Sequence, residues 1–352
     1  MCIYIIRYRN FLLTLLAMLL LTGCVEEEEF DNTPAGNMEA LWKIMDEHYC
    51  FFDLKEKELG VNWDDVHARY ASQVSDDMSR TQLFEFLGNM TGELRDGHVN
   101  LSSAFDFARN WSWKEDYPAN FSDSLYRRYM GTDYRIANSM EYRILDDNTG
   151  YLYCPTFENE FGAGNLDEIL LYLAPCNGLI IDLRNNGGGM LTSAQTLAAR
   201  FTNETVTVGY MQHKTGTGHN DFSSKEKQEI DPGKGIRWQK NVCVLTNRSV
   251  YSAANEFVKY MKAIAKNEKS KGGKNITVIG DTTGGGAGMP FSSELPNGWG
   301  IRFSACPMSD VDGNSTEFGI DPDIKVDMTD DDMTRGIDSI IERARQQLNT
   351  AK

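Results

Sequence analysis

Gly178-Leu179-Ile180-Ile181-Asp182-Leu183-Arg184-Asn185-Asn186-Gly187-Gly188-Gly189 begins as a near-continuous apolar run and ends in three glycines. A strand that is apolar on both faces belongs in a sheet covered on both sides. Leu191, Ala194, Leu197, Ala198 and Phe201 follow at helical spacing. A strand, a glycine turn and a helix in succession predict an α/β core. The same texture extends from Gly150 to the end of the chain. Val242-Cys243-Val244-Leu245 reads as a second buried strand, and Thr246-Asn247-Arg248-Ser249 as a polar turn. Phe257, Val258, Met261, Ile264 and Ala265 mark the helix after it. Ile276-Thr277-Val278-Ile279 predicts another strand, and Ile337, Ile340, Ile341, Ala344 and Leu348 a final helix.

Ser252 stands where the second strand gives way to its helix, in Tyr251-Ser252-Ala253-Ala254-Asn255. A hydroxyl at that point faces unsatisfied backbone N–H groups and the positive end of the helix dipole. Two readings follow: an N-cap serine, or a nucleophile whose oxyanion is held by the same helix end. Three other segments bear on the choice. The glycines at 187–189 let backbone N–H groups approach a ligand closely, but no Gly-Lys-Ser/Thr follows, so the phosphate-loop motif fails. Leu94-Arg95-Asp96-Gly97-His98-Val99-Asn100 supplies a histidine, the natural general base near neutral pH. A metal reading of Asp96 and His98 lacks a third clustered ligand. Asn314-Ser315-Thr316-Glu317-Phe318-Gly319 carries a carboxylate that could orient a histidine, although the segment alone reads as a turn.

Upstream, Met38, Leu41, Trp42, Met45 and Tyr49 form one helical stripe and Leu83, Phe86, Leu87 and Met90 another, with Ser79 as a cap for the second. They predict a small helical domain over 37–92. Residues 93–149 read as a connecting segment carrying His98, and 101–148 show aromatic and polar residues without a period. That stretch is too short for an inserted peptide-binding domain of about 80–100 residues. At the start, Arg7 and Arg9 precede the apolar run Phe11 to Leu21, too short for a comfortable membrane span. The run ends in Leu21-Thr22-Gly23-Cys24, which resembles a bacterial lipoprotein signal. On that resemblance, 1–23 is a signal peptide and Cys24 the lipidated first residue of the mature chain. An acidic tether, 24–36, follows. The expected location is the cell envelope, anchored in the outer membrane, and the run Glu26–Glu29 resembles surface-export signals.

With 41% hydrophobic and 24% charged residues the chain can bury a full core, and a formal charge of -16 argues against nucleic acid as partner. Cys50, Cys154, Cys176, Cys243 and Cys306 lack CxxC spacing and read as buried small hydrophobes.

Five stretches, "LRDGHVNL", "GLIIDLRNNGGG", "VCVLTNRSVYSAANEF", "VIGDTTGGGAGMP" and "GIDPDIKV", lie in this order between about 90 and 326. Together they resemble the tail-specific, or C-terminal processing, serine protease family, nearest the branch of the tricorn core and the interphotoreceptor retinoid-binding protein repeats. The resemblance implies a crotonase/ClpP-like α/β catalytic core over 150–352 and a peptide or protein substrate, with no cofactor or metal. Ser252 would be the nucleophile, His98 the general base, and the N–H groups of Gly188 and Ala253 the oxyanion hole. The Ser/Lys branch places a lysine where this chain has Gly286, which favours the Ser/His form. Glu317 is the implied third member. It stands two residues before Gly319 rather than three, with Thr316 in the expected place. Retinoid-binding relatives keep a second reading in view, a ligand- or peptide-binding protein without efficient catalysis. A glycan-capturing surface lipoprotein would fit the anchor alone.

Overall fold

The computed structural model describes residues 29–350. The expected signal peptide, Cys24 and the first glutamates of the acidic run lie outside the described residues. Helix α1 (Pro34–His48) takes in the last three residues of the expected tether. Thr33 caps it, accepting from the Gly36 N–H, and Pro34 enters at the first turn. Helices α2 (Phe52–Leu59), α3 (Trp63–Ala71) and α4 (Arg80–Gly92) follow. Ser79 caps α4 as expected, in a reciprocal capping box with Gln82. The predicted stripes do point inward, but not onto each other alone. Met38, Leu41, Met45, Leu87 and Met90 share one core with Leu101, Trp299, Ile301 and Phe303. The helical region therefore completes its core on strands from far along the chain.

The stretch that reads as aperiodic holds regular elements: β1 (Asn100–Ser102), β2 (Phe107–Arg109), α5 (Asp123–Met130), β3 (Arg135–Ala137) and β4 (Met140–Ile144). Strands of three to five residues are too short to display a period, which is why the pattern is silent there. Strand β5 (Gly150–Tyr153) pairs with β4 from Ile144↔Gly150 to Glu141↔Tyr153, so a hairpin crosses the boundary expected at 149/150.

The core then alternates as expected: α6 (Ala163–Leu173), β6 (Leu179–Asp182), α7 (Leu191–Ala198), β7 (Val206–Met211), β8 (Glu226–Ile230), β9 (Val242–Thr246), α8 (Ala253–Ser270) and β10 (Ile276–Gly280). It closes with β11 (Gly288–Glu294), β12 (Gly300–Ser309), β13 (Ile324–Lys325), α9 (Asp330–Thr334) and α10 (Ser339–Thr350). A seven-stranded sheet runs β13-β10-β9-β6-β5-β4-β3. Its β5-β6-β9-β10-β13 part is parallel. Successive residues serve opposite faces: Leu179, Ile181, Val242 and Val244 pack with α6, α7 and α8, while Ile180, Cys243 and Leu245 pack with Ile340, Ile341 and Ala344 of α10. The second sheet runs β2-β1-β12-β7-β8, with β11 also on β12. Because β6 and β9 are parallel neighbours, the turns at their C-terminal ends, 183–190 and 247–252, lie side by side. That is where open α/β sheets place their ligands.

Candidate active site

Ser252 sits on the sharp turn from β9 into α8 with φ 55 and ψ -124, in the region that favours glycine. Strain of this kind costs on the order of 1–3 kcal/mol and concentrates at functional positions. The Ser252 N–H donates to Gly285 O at 2.9 Å, and its carbonyl starts the helix by accepting from Glu256 N. Its side chain makes no capping bond, so the N-cap reading is not what the hydroxyl does. Oγ lies 2.9 Å from His98 Nε2. This is the geometry of an exposed hydroxyl on a strained strand-to-helix turn.

His98 arrives on the loop after α4. Its backbone N–H donates to Asp96 Oδ1 at 2.8 Å, and its ring lies against that of Tyr251, 5.0 Å between centroids. Burial lowers its pKa to about 4; Arg302 and Lys55 push the same way and Asp96 opposes them. The imidazole is therefore neutral near pH 7 and able to accept a proton. Its Nδ1 is buried without a hydrogen-bond partner among the described residues.

Glu317, the implied third member, is not on His98. Its Oε1 takes Lys55 Nζ at 2.9 Å and its Oε2 the Ala287 N–H at 2.9 Å. A carboxylate this deeply buried needs a counter-charge, and Lys55 of α2 provides it. Burial raises the Glu317 pKa to about 7; Lys55 opposes this and Asp96 adds to it. Thr316 is not on His98 either, since its Oγ1 accepts from Asn255 Nδ2.

The carboxylate nearest His98 in sequence is Asp96, which four donors saturate. Oδ1 accepts from His98 N and from the Tyr251 hydroxyl at 3.2 Å; Oδ2 accepts from the hydroxyls of Tyr49 at 3.0 Å and Ser304 at 2.9 Å. Burial alone would raise its pKa, but Lys55, His98 and these bonds hold it lowered. Lys55 and Ser304 carry no sequence signal, and Tyr49 reads only as part of an apolar helical stripe. Lys55 lies in Asp53-Leu54-Lys55-Glu56-Lys57-Glu58, which reads as a solvated, charge-rich turn of helix.

The two glycine segments act by their lack of side chains. A Cβ on Gly188 would come within 2.8 Å of Ser252 Cβ and 3.0 Å of Ala253 N, so the glycine turn and the Ser252 turn touch. The Gly188 N–H is nevertheless committed, donating to Asn186 Oδ1 at 2.9 Å. Ala253 is the first residue of α8, where an N–H has no intrahelical acceptor. At Gly286 (φ +79) a Cβ would fall 2.4 Å from the Tyr251 ring, so the ring occupies the space a lysine there would need. Cys50, Cys154, Cys176, Cys243 and Cys306 are all free and buried.

Residues 148–326 match peptidase family S41, and residues 30–92 match the Tricorn protease C1 domain. The carboxy-terminal processing protease CtpA of Bacillus subtilis is 26% identical over 188 residues, 53% of this chain and 36% of that protein. The chain thus spans little more than a third of that relative. The crystal structure of a proposed peptidase from Parabacteroides merdae superposes with a TM-score of 0.83 at 48% identity, covering 90% of this chain and 97% of that one. Mature CPAF superposes with a TM-score of 0.67 at 12% identity, over 91% and 98% of the two chains, a likeness of fold alone. The segment match across the strand-turn-helix core and the near end-to-end relative agree: the chain belongs to peptidase family S41, the tail-specific serine proteases.

Proposed function

We propose that the protein is a lipid-anchored serine endopeptidase of the cell envelope, with Ser252 as nucleophile and His98 as general base. The observation that carries the reading is the 2.9 Å contact between His98 Nε2 and Ser252 Oγ at the start of α8. Oγ attacks the peptide carbonyl carbon while its proton passes to Nε2. The tetrahedral oxyanion is held by the Ala253 N–H and the N-terminal end of α8. The imidazolium then gives its proton to the leaving amine, and water, deprotonated by His98, hydrolyses the acyl-enzyme. Gly188 would add a second donor only by releasing Asn186 Oδ1.

A fluorophosphonate probe tests this. It is expected to label Ser252, with a rate that falls as pH drops through about 4, because only neutral His98 accepts the proton. No labelling of folded protein, or labelling that His98→Ala leaves unchanged, sinks the assignment.

A second reading, a peptide- or ligand-binding protein with little catalysis, is favoured by His98 Nδ1 having no partner and by Glu317 being held on Lys55. Peptide cleavage by the wild type that matches both Ser252→Ala and His98→Ala would establish it. The anchor rests on Leu21-Thr22-Gly23-Cys24. Fed an alkyne-tagged fatty acid, cells are expected to label the wild type and not Cys24→Ala, which should leave the membrane fraction. Equal labelling would remove Cys24 as the lipid site.

A further inference from the structure

We infer that Lys55, supplied by the N-terminal helical region, is a positioning residue of the peptidase site, pairing with Glu317 beside the hydrogen-bonded Asp96 cluster so that the His98–Ser252 pair is held in register. The inference rests on the assignment of Ser252 and His98 above. Lys55 is 1% exposed, which for a lysine requires compensation. Its Nζ meets Glu317 Oε1 at 2.9 Å and lies 4.6 Å from the centre of the Phe318 ring. Glu317 passes the link on through the Ala287 N–H, beside Gly286, against which Tyr251 packs. The Tyr251 hydroxyl returns to Asp96, which also holds the His98 backbone. Tyr49, just past the end of α1, closes the network from the same helical side. Ser252 follows Tyr251 directly, so both reacting side chains are attached to neighbours of one buried charge cluster. Removing Lys55 leaves the buried Glu317 carboxylate without its counter-charge, and the loops carrying Tyr251 and His98 are the parts free to shift. A helical region that reads as a separate domain thus contributes an interior part of the site.

The charged groups that bear on His98 are Asp96 on its own loop, Arg302 of β12 and Lys55 of α2. Burial and the two cations lower its pKa, and Asp96 raises it. Taking Lys55 away should therefore move the His98 titration upward. The experiment compares Lys55→Met and the double variant Lys55→Met/Glu317→Gln with wild type. The double variant removes both partners and so avoids an unpaired buried charge. The readouts are melting temperature, fluorophosphonate labelling at Ser252, and His98 titration by NMR. Both variants are expected to label about 10²-fold more slowly, as displaced catalytic groups do, with His98 titrating higher, while the double variant melts closer to wild type than the single. Wild-type labelling and titration in a folded variant overturn the inference. So does recovery of both in the double variant, since Lys55 would then be only a counter-ion for Glu317. If the single variant does not fold, the double variant decides. Should the wild type itself fail to label, the Ser252 assignment fails, and the NMR titration still reports whether Lys55 acts on His98.

Discussion

Ser252→Ala is expected to lower kcat for peptide hydrolysis about 10⁴-fold or more, with stability changed by less than about 0.5 kcal/mol. The side chain makes one contact of consequence, with His98, and is only partly buried, so its loss leaves no sizeable cavity. The unusual backbone at φ 55 is set by the Gly285 and Glu256 bonds, which alanine keeps. Hydrolysis that survives would come from the helix end and substrate binding alone. His98→Ala should fall to the same floor, and the double variant should fall no further, because nucleophile and base act as a unit. Additive losses in the double variant would mean that His98 does not activate Ser252. The measurement is kcat and KM on one peptide for all three variants, beside their melting curves.

Arg184→Ala is expected to destabilise the fold by about 3–5 kcal/mol, read as a lower urea midpoint. Arg184 is fully buried with both of its carboxylate partners. Its Nη2 donates to Asp182 Oδ2 at 2.7 Å and its Nε to Oδ1 at 2.9 Å, while Nη1 reaches Asp338 Oδ2 at 2.9 Å and Asn120 O at 3.2 Å. Asp338 in turn takes the N–H groups of Ile340 and Ile341 at the start of α10. One guanidinium therefore ties the end of β6 to the cap of the last helix. Alanine would strand two carboxylates away from water. Lysine should not rescue, because a single ammonium cannot reproduce the planar fork that spans both partners. A loss below about 1 kcal/mol would show that Arg184 does not hold this pair of carboxylates in the folded protein.

Legibility followed periodicity. Strands β6, β9 and β10 and helices α7, α8 and α10 were readable because an apolar run or stripe of sufficient length leaves a pattern. β1 to β4 were not, being short pieces that acquire meaning only on β12 and β5. Ser252 and His98 stood out because each is a reactive side chain beside glycine-rich or small-residue turns. The third member was misplaced for a related reason. The resemblance implied Glu317 although it stands one residue off the family spacing, and its side chain turns to Lys55, whose position in a charged helix gives no hint of burial.

Local chemistry along the chain thus determines the α/β core, the glycine turn at 187–189 and the helix start at Ser252, since each depends on residues adjacent in sequence or on backbone freedom, whereas the meeting of the two turns and the Tyr251 ring in the space beside Gly286 come from strand pairing. Charge pairing in the interior is different. Whether Glu317 meets His98 or Lys55, whether the Gly188 N–H is spoken for, and whether the helical region stands apart or reaches into the site are settled only when segments from residue 49 to residue 338 close around one another. Burial there raises the cost of every unpaired charge and selects the partner.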